Sequence, residues 1–160
     1  MSYIKSFNKT SKEQRKQIET PLEPCKSFEE GLKIGNNLKT FMKNRFDQND
    51  LGLANNQIGG NKRVCVARLK RIKGNYNEYK WTIFINPKIV QTSKTFRMVE
   101  ECCLSFPNKS NKVKRYDYII IQHLKDDELI TEKFSFHNAQ VLQHEIDHLN
   151  GIHIFNKYME

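Results

Sequence analysis

The chain has 160 residues, 38% of them hydrophobic and 28% charged, a length and balance that suit one domain, 1–160, with one core. Ten Phe and six Tyr exclude a disordered chain. The net charge of +9 comes mostly from lysines spread from Lys5 to Lys157, which reads as a solubilising surface and excludes a specific DNA-binding groove.

In chain order, the first nine residues lack the apolar run of a signal peptide, and no later segment is apolar for long enough to span a bilayer. A cytoplasmic protein with reduced cysteines is therefore expected, with no membrane partner. Cys25 and Cys65 are isolated, and a bridge between the neighbours Cys102 and Cys103 would be strained. A short helix is expected around Ser11–Ile18, before Pro21 and Pro24. Ser27 and Glu30 have the spacing of a capping box, and apolar positions from Leu32 to Phe46 recur at helical spacing, so residues 28–46 read as an amphipathic helix. Gly31 and Gly35 suit close packing of that helix.

Residues 47–61 form a polar, glycine-containing loop with more apolar content than a passive loop needs. Val64–Ala67 reads as a short buried strand, and Arg68–Tyr79 as the basic tip of a hairpin. Trp81–Ile85 is the next strand, closed by Asn86-Pro87. Ile89-Val90 and Thr95–Val99 are further strands. Val113–Leu124, centred on three isoleucines, carries the strongest strand signal. Asp126–Glu128 turns it back into Leu129–Phe134. Ser135 fits an N-cap and Gly151 a C-terminal cap for one last helix, where Val141, Leu142, Ile146 and Leu149 imply burial on two faces. The pattern is α+β: mixed or antiparallel strands packed around a central, metal-binding helix.

That helix carries His144-Glu145-Ile146-Asp147-His148. Two histidines four apart project from one face and can grip one metal ion, with Glu145 beside them to handle a proton. A catalytic site of this kind takes a third protein ligand and leaves one position for water. His153 is the only downstream histidine and leaves little room for a protease cleft; Asp147 points off the histidine face. A cysteine from another element remains.

Three stretches carry a resemblance. Glu101–Pro107 resembles the E-G-C-L-S-x-P motif of the peptide deformylases. Gln143–Gly151 is similar to their Q-H-E-x-D-H-L-x-G motif, and Leu51–Gly59 to their G-x-G-L-A-A-x-Q-x-G motif. The three stand in the family's order, and Phe84–Pro87 is similar to its I-N-P strand end, so the resemblance covers residues 28–157. The departures are Asp50 for the first glycine, Asn55 for the second alanine and Cys102 for the glycine before Cys103; they bear on substrate preference and rate. The chain also stops soon after the central helix, as in a compact variant lacking the family's long C-terminal helix.

The resemblance implies that Cys103, His144 and His148 hold a divalent ion, with Fe²⁺ first and Zn²⁺, Ni²⁺ or Co²⁺ as alternatives. It implies Glu145 as general base and acid, and Gln57 with the Leu104 N–H as oxyanion donors. Leu51 and Gly52 would line a channel where the peptide pairs as an added strand, and Val141 would help form a methionine pocket, although His137 and Gln140 beside it are polar. Glu101 and Asp147 are expected either to orient the ligand imidazoles or to form plain ion pairs, with Arg115 as the partner of Glu101. The implied activity is removal of the formyl group from N-formylmethionyl peptides, releasing formate, by a monomer whose lysines assist docking at the ribosome surface. Two rivals remain. A small metallopeptidase would cleave peptide bonds without needing Cys103. A metal-stabilised binding module would show metal-dependent folding and no turnover.

Overall fold

Ser27 starts the fold's first long element. In the computed structural model, which describes residues 12–45, 49–71 and 78–157, its hydroxyl accepts the Glu30 N–H at 3.1 Å. The reciprocal bond falls one residue earlier than in a capping box, because the Glu30 carboxylate takes the Lys26 N–H at 2.6 Å. Helix α2 (Phe28–Lys43) ends where the Asn44 N–H turns back to Thr40, three residues short of the expected end; Phe46 lies outside the described residues. Before it, α1 spans Lys12–Glu19, matching the short helix expected there. A Cβ on Gly31 would collide with Ile85, and one on Gly35 with Ile83, so both glycines let α2 lie directly on strand β3 (Tyr79–Thr92).

The strands form two antiparallel sheets. The larger runs in the order β1 (Gly52–Ala54), β2 (Val64–Lys70), β3, β6 (Tyr118–Lys125), β7 (Glu128–Ser135). The smaller is a ribbon of β4 (Phe96–Cys102) and β5 (Ser110–Tyr116). Two boundaries differ from the sequence reading. Asn86-Pro87 does not close a strand: β3 runs through it, and the register against β6 shifts between Ile85 and Lys88. Asn86 adopts φ 51°, and its amide bonds both the N–H and the C=O of Cys25, which holds the irregularity. Proline, lacking an N–H, is tolerated at such a break in the ladder. The Val113–Leu124 run is likewise two strands, split at Asp117 and sent to different sheets. Asp117 makes the corner: its N–H reaches Thr95 O at 3.3 Å, its C=O takes the Phe136 N–H at 2.7 Å, and its carboxylate holds Arg97. Asp126 and Asp127, at φ 51° and 59°, form the expected turn into β7. The tip expected between Arg68 and Tyr79 includes residues 72–77, outside the described residues.

Apolar groups fill both faces of the large sheet. Leu38 and Met42 of α2 meet Val64, Val66 and Ile85 on one side. On the other, helix α3 (Phe136–Leu149) buries Leu142, Ile146 and Leu149 against Phe84, Ile119 and Ile121. Each such side chain contributes about 1.5–3 kcal/mol. Two side-chain amides fix the height of α3. Asn138 exchanges hydrogen bonds with the backbone of Lys70 at 2.8 and 2.9 Å, and Gln143 does the same with Tyr116 at 2.9 and 3.0 Å. The first reaches the large sheet and the second the ribbon.

The two ends of α3 compare unequally with expectation. Ser135 stands at the N-cap, but its hydroxyl makes no cap hydrogen bond; instead Phe136 turns to φ 51° and anchors its N–H on Asp117. At the C-terminus Gly151 behaves as expected. It sits at φ 74°, its N–H bonds His148 O at 3.0 Å, and the Ile152 N–H bonds Asp147 O at 2.8 Å, the pattern of a Schellman cap. Carbonyls of the last turn also accept from distant groups. Asn56 Nδ2 reaches His148 O at 2.8 Å, while the Leu22 N–H and Arg63 Nη1 reach Leu149 O at 2.9 and 3.1 Å. A Cβ at Gly151 would strike the backbone of Glu19 as well as strain the left-handed conformation. Gly151→Ala is therefore expected to destabilise the fold by more than about 1 kcal/mol, read as a lower urea midpoint at unchanged slope.

Candidate metal centre and cleft

Helix α3 sets His144 and His148 one turn apart, and the turn after β4 brings Cys103 to them. Cys103 Sγ lies 3.2 Å from His148 Nε2, and the two Nε2 atoms lie 3.2 Å apart. All three donor atoms fall within 4.8 Å of one another. A tetrahedral ion with bonds of about 2.0–2.3 Å requires donors roughly 3.3–3.7 Å apart, so one thiolate and two imidazoles in this arrangement fit a divalent metal. The alternatives raised by the sequence do not join them. His153 Nε2 is 2.9 Å from Glu19 Oε1, and Asp147 Oδ2 accepts from Arg115 Nη1 at 2.6 Å and Lys157 Nζ at 2.7 Å.

Behind the donors lies a buried charge relay of fixed geometry. Arg115, 1% exposed, donates from Nε and Nη2 to the two oxygens of Glu101, both at 2.8 Å. Glu101 Oε2 also lies 2.8 Å from His144 Nδ1. A carboxylate there makes Nδ1 the protonated nitrogen and leaves the Nε2 lone pair for an ion. Burial would raise the Glu101 carboxyl, but its bonds to Arg115 and His144 outweigh that and bring it down to about 2. The same pairing raises the Arg115 guanidinium above its ordinary value against its own desolvation. Of the two acids singled out in the sequence, then, Glu101 orients an imidazole, and Asp147 forms ion pairs without touching one.

Glu145 faces the cleft, and burial pushes its carboxyl up to about 7. It is 4% exposed, and its Oε2 has no hydrogen-bond partner. Gly52 runs so close that a Cβ there would overlap the Glu145 carboxylate. Any side chain at position 52 would therefore displace the group beside the metal donors. Gln57 is tied at both ends: Oε1 accepts the Ala54 N–H at 2.9 Å, and Nε2 donates to Ser105 Oγ at 3.1 Å while lying 3.7 Å from Cys103 Sγ. Gln57 braces its loop through these bonds and also lines the cleft.

These groups line a cleft of about 760 Å³, which Leu51, Gly52, Leu104 and Val141 also line. Gln140 lines it too, whereas His137 stacks edge-on against Tyr79 at 6.0 Å. Three participants escaped the sequence reading. Asn56 anchors the His148 carbonyl, Ser105 holds the Gln57 amide, and Arg45 pairs with Asp50 at the cleft rim. Asn56 and Ser105 lie inside matched motifs, so the signal was present; that of Arg45 was only a charge just past a helix.

Comparison with known proteins agrees with this geometry. The sequence model of the polypeptide deformylase family matches residues 7–160. A peptide deformylase of Chlorobaculum parvum is 44% identical over 103 residues, covering 63% of this chain and 54% of that protein. One of Wolbachia from Drosophila simulans is 36% identical over 126 residues, covering 75% and 70%. The match thus spans about half the length of the first relative. Among solved structures, a probable peptide deformylase from Synechococcus phage S-SSM7 superposes with a TM-score of 0.80 at 25% identity, covering 99% of this chain and 100% of that one. Peptide deformylase from Thermotoga maritima gives 0.78 at 27% identity, covering 98% and 96%.

Proposed function

The chain belongs to the peptide deformylase family, and from that premise we propose that it hydrolyses the N-formyl group of formylmethionyl peptides, releasing formate. The observation that carries the reading is the convergence of Cys103 Sγ, His144 Nε2 and His148 Nε2 beside Glu145, whose Oε2 is buried and unpartnered. A divalent ion held there, Fe²⁺ first and Zn²⁺, Ni²⁺ or Co²⁺ otherwise, supplies Lewis acidity toward water and the formyl oxygen. Glu145 takes the proton of the attacking water and returns it to the departing amine nitrogen. Gln57 keeps one Nε2 hydrogen on Ser105 and turns the other from Cys103 Sγ, 3.7 Å away, toward the oxyanion, with the Leu104 N–H as second donor. Leu51 and Gly52 pair the peptide along β1, and Val141 contacts the methionine side chain. Cys103 separates this reading from a simple metallopeptidase, which needs no thiolate.

We take the enzyme to act as a single-domain monomer in the cytoplasm, on nascent chains during protein biosynthesis, with its lysines assisting contact with the ribosome. The net charge of +9 supports that contact, and no described helix is long and apolar enough to cross a membrane.

The test is formate release from formyl-Met-Ala-Ser by protein purified without oxygen. Chelation is expected to abolish release, and Fe²⁺ to restore it. Cys103→Ser is expected to lose both release and the one-per-chain metal content. Release untouched by chelation, or no release from fully loaded protein, would sink the reading.

A further inference from the structure

Position 50 departs from the deformylase motif: an aspartate stands where a glycine is expected. Its carboxylate has a function in the structure that a glycine lacks. Asp50 Oδ2 accepts from Arg45 Nε at 3.0 Å, and the aspartate side chain is only 9% exposed. Both residues line the cleft that Glu145, Cys103 and His144 also line. The arginine side chain is 36% exposed, and among the described residues its Nη1 and Nη2 have no partner. Asp50 therefore spends only Nε, fixing the plane of the guanidinium while leaving the two-nitrogen fork for another acceptor.

A fork of that kind matches a carboxylate, which takes two parallel N–H bonds, better than it matches an amide or hydroxyl. Among the described residues, two other acids of the cleft are held elsewhere. Glu101 is held by Arg115, and Glu100 Oε1 takes the Ser110 hydroxyl at 2.6 Å. Lys109 adds a second positive charge to the lining. Among the described residues the lining thus carries two cations, Arg45 and Lys109, while Glu100 and Glu101 are engaged elsewhere and Glu145 stands beside the metal donors.

We propose that Arg45, aimed by Asp50, is a specificity-determining residue that reads a carboxylate on the peptide, so that substrates acidic just after the formylmethionine are preferred. The carboxylate is either a side chain in the second or third position or the terminus of a short peptide. The inference rests on the deformylase reading for its cleft and direction, but its test does not need turnover.

The experiment uses the metal-loaded protein and matched pairs differing by one charge. Formyl-Met-Asp-Ala-amide is compared with formyl-Met-Asn-Ala-amide, and formyl-Met-Ala-Asp-amide with formyl-Met-Ala-Asn-amide. Formyl-Met-Ala-Asn as free acid against its amide separates a terminal carboxylate from a side chain. At least one acidic member is expected to exceed its neutral partner by about three- to tenfold in kcat/KM, mostly through KM. The ratio should shrink with added salt. It is expected to collapse to about one in Arg45→Gln, and to narrow in Asp50→Asn, where the guanidinium keeps its charge and loses its aim. The same pairs without the formyl group, measured by calorimetry, should show the same ratio in Kd. If the protein released no formate, the calorimetric ratio would still decide this proposal, while the proposed activity alone would fail. Ratios near one in every wild-type pair, or a preference that survives Arg45→Gln, overturn it.

Discussion

Glu145→Gln is expected to lower kcat for formate release by about 10²- to 10⁴-fold, the range spanned by loss of a positioned general acid–base group. Glutamine keeps the size of the side chain, so Gly52 still clears it and the cleft keeps its shape. What is lost is the ability to accept and return a proton at Oε2, the oxygen without a partner. Metal content per chain, KM and the thermal midpoint should change little, because Glu145 is neither a donor to the ion nor part of the buried ion pairs. Measuring all four quantities on one preparation separates the chemical role from a folding defect. A fall in kcat below tenfold, with metal fully loaded, would remove Glu145 from the proton path.

Arg115→Met should give the largest loss of stability. Methionine fills similar space but leaves Glu101 buried without its cation and takes one of two cations from Asp147. Breaking a buried pair from one side costs about 3–5 kcal/mol. For a chain of this size that corresponds to a fall in melting temperature on the order of 10 °C. The pH dependence should move as well. In the folded protein Glu101 is held down to about 2 from an ordinary 4.5. Its contribution is therefore complete above the unfolded value and is lost as pH falls through the folded one. Without Arg115 that loss should begin at higher pH. Metal affinity should drop about 10–100-fold, since Glu101 fixes the proton on His144 Nδ1. Adding Glu101→Gln should recover part of the stability and none of the affinity. An Arg115→Met protein as stable as the parent would show that the pair is not under strain of burial at all.

Where the sequence could be read depended on how local the cause was. The metal donors, Glu145 and Gln57 lie in short runs whose residue types are dictated by chemistry, and the structure brings them together. Gly151 was legible because its cap depends on one residue's conformation, and α2 began where Ser27 placed it. The misread boundaries share a different cause. Residues 113–124 look like one strand because each half alternates well; only the contacts of Asp117 with Thr95, Phe136 and Arg97 break them apart. Asn86-Pro87 looks like a stop, yet the amide of Asn86 bonds a backbone 61 residues away and carries the strand onward. Ser135 has the right type for a cap, but Asp117 anchors the helix start instead. In each case a partner distant in sequence overrides the local preference. The Arg45–Asp50 pair escaped attention for the opposite reason: a lone arginine and a lone aspartate carry no pattern until their distance is known.

The last turn of α3 has a consequence for how the protein matures. Its carbonyls are satisfied by Leu22, Asn56 and Arg63, and the His148 oxygen alone ties two segments 92 residues apart. Closing such loops is the slow part of folding, because chain entropy is lost before the contacts repay it. The carbonyls of the helix turn that presents His148 therefore gain these partners only once residues 22–63 have docked against it. A ribosome-bound fragment ending before residue 148 holds Gln57 and Cys103 but lacks the second imidazole. The donor set Cys103, His144 and His148 is therefore incomplete in any fragment that stops before residue 148.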